Sequence, residues 1–173
     1  MKNKCIFLDR DGVLNKDYVD YAYTLDKFEV LPNVPEAINM LKEAGYVIVI
    51  ITNQSGIAKG IYKKEDVYIC HEELQRVCNN QIDDMFYAPY HESVTASLTR
   101  KPNTLMFEKA IAKYNIDIEQ SWMVGDKERD LIPAKNIGIS KRIQVDNDPV
   151  EGSVYTHFAK DLMDAVNIIL KEA

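Results

Sequence analysis

Tyr46-Val-Ile-Val-Ile-Ile-Thr-Asn-Gln-Ser-Gly56 is the stretch whose reading decides the fold. Tyr46 to Ile51 is wholly apolar and rich in β-branched residues, and it breaks at once into a polar turn. Such a run predicts a central parallel strand covered on both faces, because an antiparallel strand with one wet face would alternate. It is the longest apolar run in the chain and far too short to span a membrane.

The pattern around it alternates strand and helix. Upstream, Cys5-Ile-Phe-Leu8 reads as a strand ending at Asp9. Val34, Ala37, Ile38 and Leu41 fall on one helical face, with Asn33 to Glu36 resembling a capping box and Gly45 as the stop. Downstream, a helix is predicted from Lys64 to Asn79 and a strand at Met85 to Tyr87. Phe107, Ala110, Ile111 and Tyr114 mark a third helix, with Asn103 as its cap. Trp122 to Val124 is the fourth strand, followed by a short helix over Leu131 to Asn136. Ile139 to Val145 contains the fifth strand, and Leu162, Ala165, Val166 and Ile169 make the last helix. Repeated β-then-α units predict an α/β fold: a three-layer, Rossmann-like parallel sheet with helices on both faces. The 173 residues suit one domain, 1–173, large enough to need no disulfide or metal for folding.

Composition narrows the function. A net charge of −6 leaves no basic excess to neutralise a nucleic-acid backbone, so a polyanion binder is disfavoured. No charged-then-apolar leader precedes the first strand, and the three cysteines form no CxxC pair. Cys70 and Cys78 share an apolar helical stripe with Val67, Leu74 and Val77, and read as core. The expectation is a soluble, cytoplasmic protein with free thiols and no membrane partner.

In parallel α/β sheets, ligands bind beyond the carboxyl ends of the strands. The first strand leads into Asp9-Arg-Asp11-Gly12. One carboxylate there could attack phosphorus while the other handles a proton; a solvated acidic turn is the plain alternative. A calcium loop is a poorer fit, because Val13 and Leu14 stand where an oxygen ligand and a glycine are needed. Thr52 to Gly56 offers a hydroxyl, an amide and backbone N–H groups to a phosphate oxygen, or is an ordinary polar turn. Arg100-Lys101 before a helix is an anion site or an exposed basic pair. Asp126 could complete a Mg²⁺ site with the first strand's carboxylate, whereas Asp130 reads as a helix cap. His71 and His157 read as surface or packing residues, the latter in a late loop. Taken together, the four strand ends supply a kit for phosphoryl transfer.

The order DxDG, Thr-Asn, Lys, GDxxxD resembles the haloacid dehalogenase superfamily of phosphatases over nearly the whole chain. FLDRDGVLN, ITNQSGIAKG, RKPN and SWMVGDKERD resemble most its heptose-bisphosphate phosphatases, with the histidinol-phosphatases close behind. That resemblance implies Asp9 as nucleophile and Asp11 as the acid, then the base. It implies Thr52 and Lys101 as holders of the phosphoryl group. Asp9, the Asp11 backbone carbonyl and Asp126 would ligate Mg²⁺, with Lys127 neighbouring rather than ligating. Asp17, Tyr18, Val19, Asp20, Asn53, Gln54, Ser55 and Arg100 would contact a small sugar phosphate.

Two departures matter. The resembling enzymes carry four zinc ligands just before the RKP segment, where this chain has Ala88, Tyr90, Ser97 and Thr99. No zinc is expected, and Tyr87, Tyr90 and Leu98 are expected to hold the loop by packing. Neither gap, Asp11 to Tyr46 nor Gly56 to Arg100, has room for a cap domain. A capless, open site is therefore expected, on a protein taken as a monomer. Tyr18, Tyr21 and Tyr23 could wall a sugar or serve as packing.

Overall fold

A computed structural model describes residues 2–145 and 152–172. Six parallel strands form one sheet: β1 (Cys5–Leu8), β2 (Val47–Asn53), β3 (Asp84–Ala88), β4 (Trp122–Gly125), β5 (Lys141–Val145) and β6 (His157–Ala159). Their spatial order is β3-β2-β1-β4-β5-β6. The helices are α1 (Val34–Glu43), α2 (Lys64–Val77), α3 (Leu105–Tyr114), α4 (Glu128–Asn136) and α5 (Leu162–Lys171).

The period-2 pleat sorts the buried residues onto two faces. Ile6, Leu8, Ile48, Ile50, Trp122 and Val124 pack with α1, α2 and α5. Cys5, Phe7, Val49, Ile51 and Met123 point the other way and pack with α3 and α4. The expected face of α1, Val34, Ala37, Ile38 and Leu41, is fully buried. So are Cys5, Cys70 and Cys78, all free thiols. Val77 is only half-buried, and His71 joins the buried side of α2 instead.

The departures from expectation are local. Asn33 does not cap α1 through its side chain; it sits at φ 63, the left-handed region, and its carbonyl accepts from Ala37. Thr104 rather than Asn103 stands at the start of α3, without a side-chain cap; the Asn103 amide donates to the Ser97 carbonyl. Helix α4 starts three residues earlier than expected, at Glu128. β6 is an addition: His-Phe-Ala is too short to show a period, and it forms by pairing along β5. His157 therefore lies on a strand, with Nε2 2.9 Å from Glu172 Oε1.

Strands β1, β2 and β4 are adjacent and parallel, so their carboxyl ends open on one edge. Segments 9–33, 54–63 and 89–104 border that edge with no helix, and with nothing strand-like beyond isolated bridges. The edge is open, in the capless arrangement. No described helix is long and apolar enough to cross a membrane.

Candidate active site

Asp9 follows β1 directly, and its N–H donates to the Val124 carbonyl, which fixes it between β1 and β4. Its carboxylate is buried, and Oδ1 accepts from Lys101 Nζ at 2.7 Å. Lys101 is itself buried; its ammonium also reaches Asp130 Oδ1 and the Ile51 carbonyl, each at 2.7 Å. Burial pushes the Lys101 ammonium down, but Asp130 and Asp9 outweigh this and raise it. The lysine is charged at every ordinary pH.

Two glycines let the acids crowd. A Cβ on Gly12 would lie 2.5 Å from Asp126 Oδ2, and φ there is +86°. A Cβ on Gly125 would lie 2.5 Å from the Asp130 side chain. Carboxylate oxygens of Asp9, Asp126 and Asp130 consequently lie within 4.8 Å of one another. Asp9 and Asp130 share one buried lysine, while Asp126 meets Lys127 at 3.3 Å. Burial, then repulsion from Asp130, raises Asp9 to about 6 against the pull of Lys101. Burial, then Asp9 and Asp130, raises Asp126 to about 8. One buried oxygen of Asp126, Oδ1, has no hydrogen-bond partner. An all-oxygen, over-acidic pocket with an unpartnered carboxylate oxygen fits a hard divalent cation.

Asp11 behaves differently. Arg10 grips it through Nε at 3.2 Å and Nη2 at 2.9 Å, while Asn15 donates at 2.9 Å and Gln54 at 3.0 Å. Burial pushes the Asp11 carboxyl up, but Arg10 and the hydrogen bonds from Asn15 and Gln54 outweigh it and hold it low. Two neighbouring carboxylates thus meet opposite environments, which is how acids of one type take separate roles.

A cleft of about 200 Å³ lies over these groups. Asp9, Asp11, Thr52, Asn53, Gln54, Ser55, Arg100, Lys101 and Lys127 all line it, together with Asp17 and Tyr18. Asp17 pairs with Lys127 at 2.5 Å, tying loop 16–24 to the turn after β4. Val19 and Asp20 stand elsewhere: the turn closed by Tyr21 N–H to the Tyr18 carbonyl throws both into solvent. Tyr21 lines the cleft, whereas Tyr23 stacks on Tyr62 at 5.0 Å and serves packing.

The amides after β2 are committed within the protein. Asn53 accepts from the Lys101 N–H at 3.0 Å and donates to the Lys101 carbonyl at 3.1 Å. Gln54 is buried, its side chain shared among Asp11, Thr52 and Tyr62.

The loop before Arg100 is held by polar bonds rather than the expected packing. Leu98 and Tyr90 are exposed, at 71% and 41%. Ser97 Oγ and Thr99 Oγ1 bond to each other at 2.8 Å, Asn103 holds the Ser97 carbonyl, and Arg100 holds the Tyr90 carbonyl.

Sequence reasoning missed several residues of the site, Asp130, Lys59 and Arg129 among them. Asp130 does cap α4, accepting from the Lys127 N–H at 3.1 Å, but its other oxygen meets Lys101. Its spacing in GDxxxD was the available signal. Lys59 and Arg129 add two cations to the cleft wall beside Arg100 and Lys127, and nothing in their local sequence marks them.

The haloacid dehalogenase-like hydrolase family matches residues 4–138. A D-glycero-beta-D-manno-heptose-1,7-bisphosphate 7-phosphatase of Haemophilus ducreyi is 35% identical over 154 residues, 84% of each chain. A D-glycero-alpha-D-manno-heptose-1,7-bisphosphate 7-phosphatase of Campylobacter jejuni is 34% identical over 170 residues, 96% of each. The crystal structure of a D,D-heptose 1,7-bisphosphate phosphatase from B. bronchiseptica, complexed with magnesium and phosphate, superposes with a TM-score of 0.86. It is 29% identical, covering 98% of this chain and 99% of that one. With the acids, threonine and lysine gathered at three adjacent strand ends, these matches place the chain in the haloacid dehalogenase-like hydrolase family.

Proposed function

We propose that this chain is a Mg²⁺-dependent phosphomonoesterase that removes the C7 phosphate of a D-glycero-D-manno-heptose 1,7-bisphosphate. The observation that carries the reading is the buried Asp9–Lys101–Asp130 chain beside Asp126, whose Asp9 and Lys101 line one cleft with Asp11 and Thr52. The relatives' names support the substrate.

Asp9 attacks phosphorus, and the bond from phosphorus to the sugar oxygen breaks. Asp11, ionised in the free site because Arg10 holds it low, takes up a proton as the anionic substrate enters and gives it to the departing oxygen. Thr52 and Lys101 hold the oxygens of the transferred group, where preorganised charge matters most. Asp11 then takes a proton from water as that water attacks the aspartyl-phosphate, releasing phosphate and regenerating Asp9. Asp9, Asp126 and the Asp11 backbone carbonyl would hold Mg²⁺. Once bound, the ion lowers the raised carboxyl pKa values and neutralises charge on the phosphoryl oxygens.

The cleft wall favours a bisphosphate over a cationic substrate. Lys59, Arg100, Lys127 and Arg129 line it in addition to Lys101, a setting that attracts a second phosphate and repels the ammonium of histidinol phosphate. Residues 1–173 are read as one phosphatase domain, cytoplasmic and monomeric, without nucleic-acid or membrane partners.

A substrate panel in Mg²⁺ tests this: both heptose 1,7-bisphosphate anomers, histidinol phosphate, fructose 1,6-bisphosphate and a 3′-phosphorylated oligonucleotide. A heptose bisphosphate is expected to give the highest kcat/KM. A higher value for histidinol phosphate or the oligonucleotide overturns the assignment.

A further inference from the structure

We propose that Tyr62 is a positioning residue: its hydroxyl orients the Gln54 amide, which ties Asp11 to Thr52. The proposal rests on the reading that Asp11 moves the proton and Thr52 holds the phosphoryl group.

Tyr62 is 5% exposed, and its hydroxyl donates to Gln54 Oε1 at 2.8 Å. That bond turns Gln54 Nε2 toward Asp11 Oδ2 and Thr52 Oγ1, each 3.0 Å away. The opposite orientation would aim the amide oxygen at a carboxylate, oxygen against oxygen. A phenol that donates on one side and a carboxylate that only accepts on the other therefore select one orientation. Burial raises the Tyr62 phenol, so it remains a donor throughout the working range.

The slot for this residue is built. Gly56 leaves room for the ring, since a Cβ there would lie 2.0 Å from it. Tyr23 stacks on the ring at 5.0 Å, and Tyr21 meets it edge-on at 5.7 Å. Phenylalanine would satisfy all of that packing. The hydroxyl is the atom that packing does not explain, and its bond goes to the group joining the proton carrier to the phosphoryl holder. Placement of a proton donor tolerates little error, so orientation of a single amide reaches the rate.

Tyr62→Phe isolates the hydroxyl. The readout is kcat/KM in Mg²⁺ for two substrates, because this ratio follows the step in which the leaving group departs. A sugar phosphate needs its leaving oxygen protonated; p-nitrophenyl phosphate does not. The variant is expected to lose about tenfold on heptose bisphosphate, the scale of one buried hydrogen bond, and little on the aryl ester. In a Gln54→Met background, the same change is expected to add no further loss. Wild-type kcat/KM on both substrates overturns the proposal, as does an equal loss on both. So does a loss that persists undiminished with Met at position 54. Asp11→Asn separates the two layers: if it keeps full activity on heptose bisphosphate, the underlying mechanism fails, whatever Tyr62 does.

Discussion

Lys101 Nζ and Asp9 Oδ1 lie 2.7 Å apart across 92 residues of sequence, both nearly sealed from solvent. The lysine also meets Asp130, so one cation bridges the acid after β1 and an acid in the first turn of α4. It serves two ends: it neutralises the cluster when no phosphate is present, and it stands where a transferred phosphoryl group would need a positive charge.

Removing that charge should therefore cost both rate and stability. Lys101→Met leaves Asp9 and Asp130 buried without their cationic partner, a change of about 3–5 kcal/mol in comparable pairs. Urea unfolding should show that loss, and kcat should fall by at least about a hundredfold. A variant of unchanged midpoint would mean that the ion pairs are not sustained.

Metal and pH should be linked. The Asp126 carboxyl sits at about 8 in the fold, against an ordinary value near 3.8. The folded state thus holds a proton there that the unfolded chain releases, and the associated stability disappears as pH rises through about 8. Between pH 6.5 and 8.5 the metal-free protein should lose melting temperature, and saturating Mg²⁺ should remove that slope. Asp126→Asn should flatten the slope and abolish the Mg²⁺ response. Melting curves across this range, with and without Mg²⁺, check it.

Gly12→Ala should act on the metal site. The added methyl would collide with Asp126 Oδ2, at a φ of +86° where an L-residue costs about 1–2 kcal/mol. Mg²⁺ affinity by calorimetry should fall by at least about tenfold, because the carboxylate must move away from Asp9. Unchanged affinity would place the ion away from Asp126.

Asn53 distinguishes a clamp from a substrate contact. Its amide closes two hydrogen bonds on the backbone of Lys101. Asn53→Ala should lower kcat by roughly tenfold with little change in KM, since its two hydrogen bonds orient the lysine proposed to hold the phosphoryl group. A raised KM with normal kcat would restore the direct substrate role.

The central sheet was legible because Tyr46 to Ile51 has no polar residue and is rich in β-branched ones, the pattern of a strand buried on both faces. Asp9, Asp11, Thr52, Lys101 and Asp126 were legible because each stands at or just after a recognisable strand, or before a helix. The rest depended on distance in space. Asp130 looked like a cap because it is one; only the fold shows its second oxygen against Lys101. Val19 and Asp20 looked like site residues because their neighbours are; a single turn carries them outward. β6 has no period to read, and Lys59 and Arg129 reach the cleft only through the loops that present them.

The most direct test of the account is kcat/KM for Asp9→Asn on heptose 1,7-bisphosphate in Mg²⁺. The substitution keeps size and removes the carboxylate proposed to attack phosphorus. The expected result is a loss of at least about ten-thousandfold with the fold intact by circular dichroism. Activity within tenfold of the unsubstituted protein would contradict the aspartyl-phosphate mechanism.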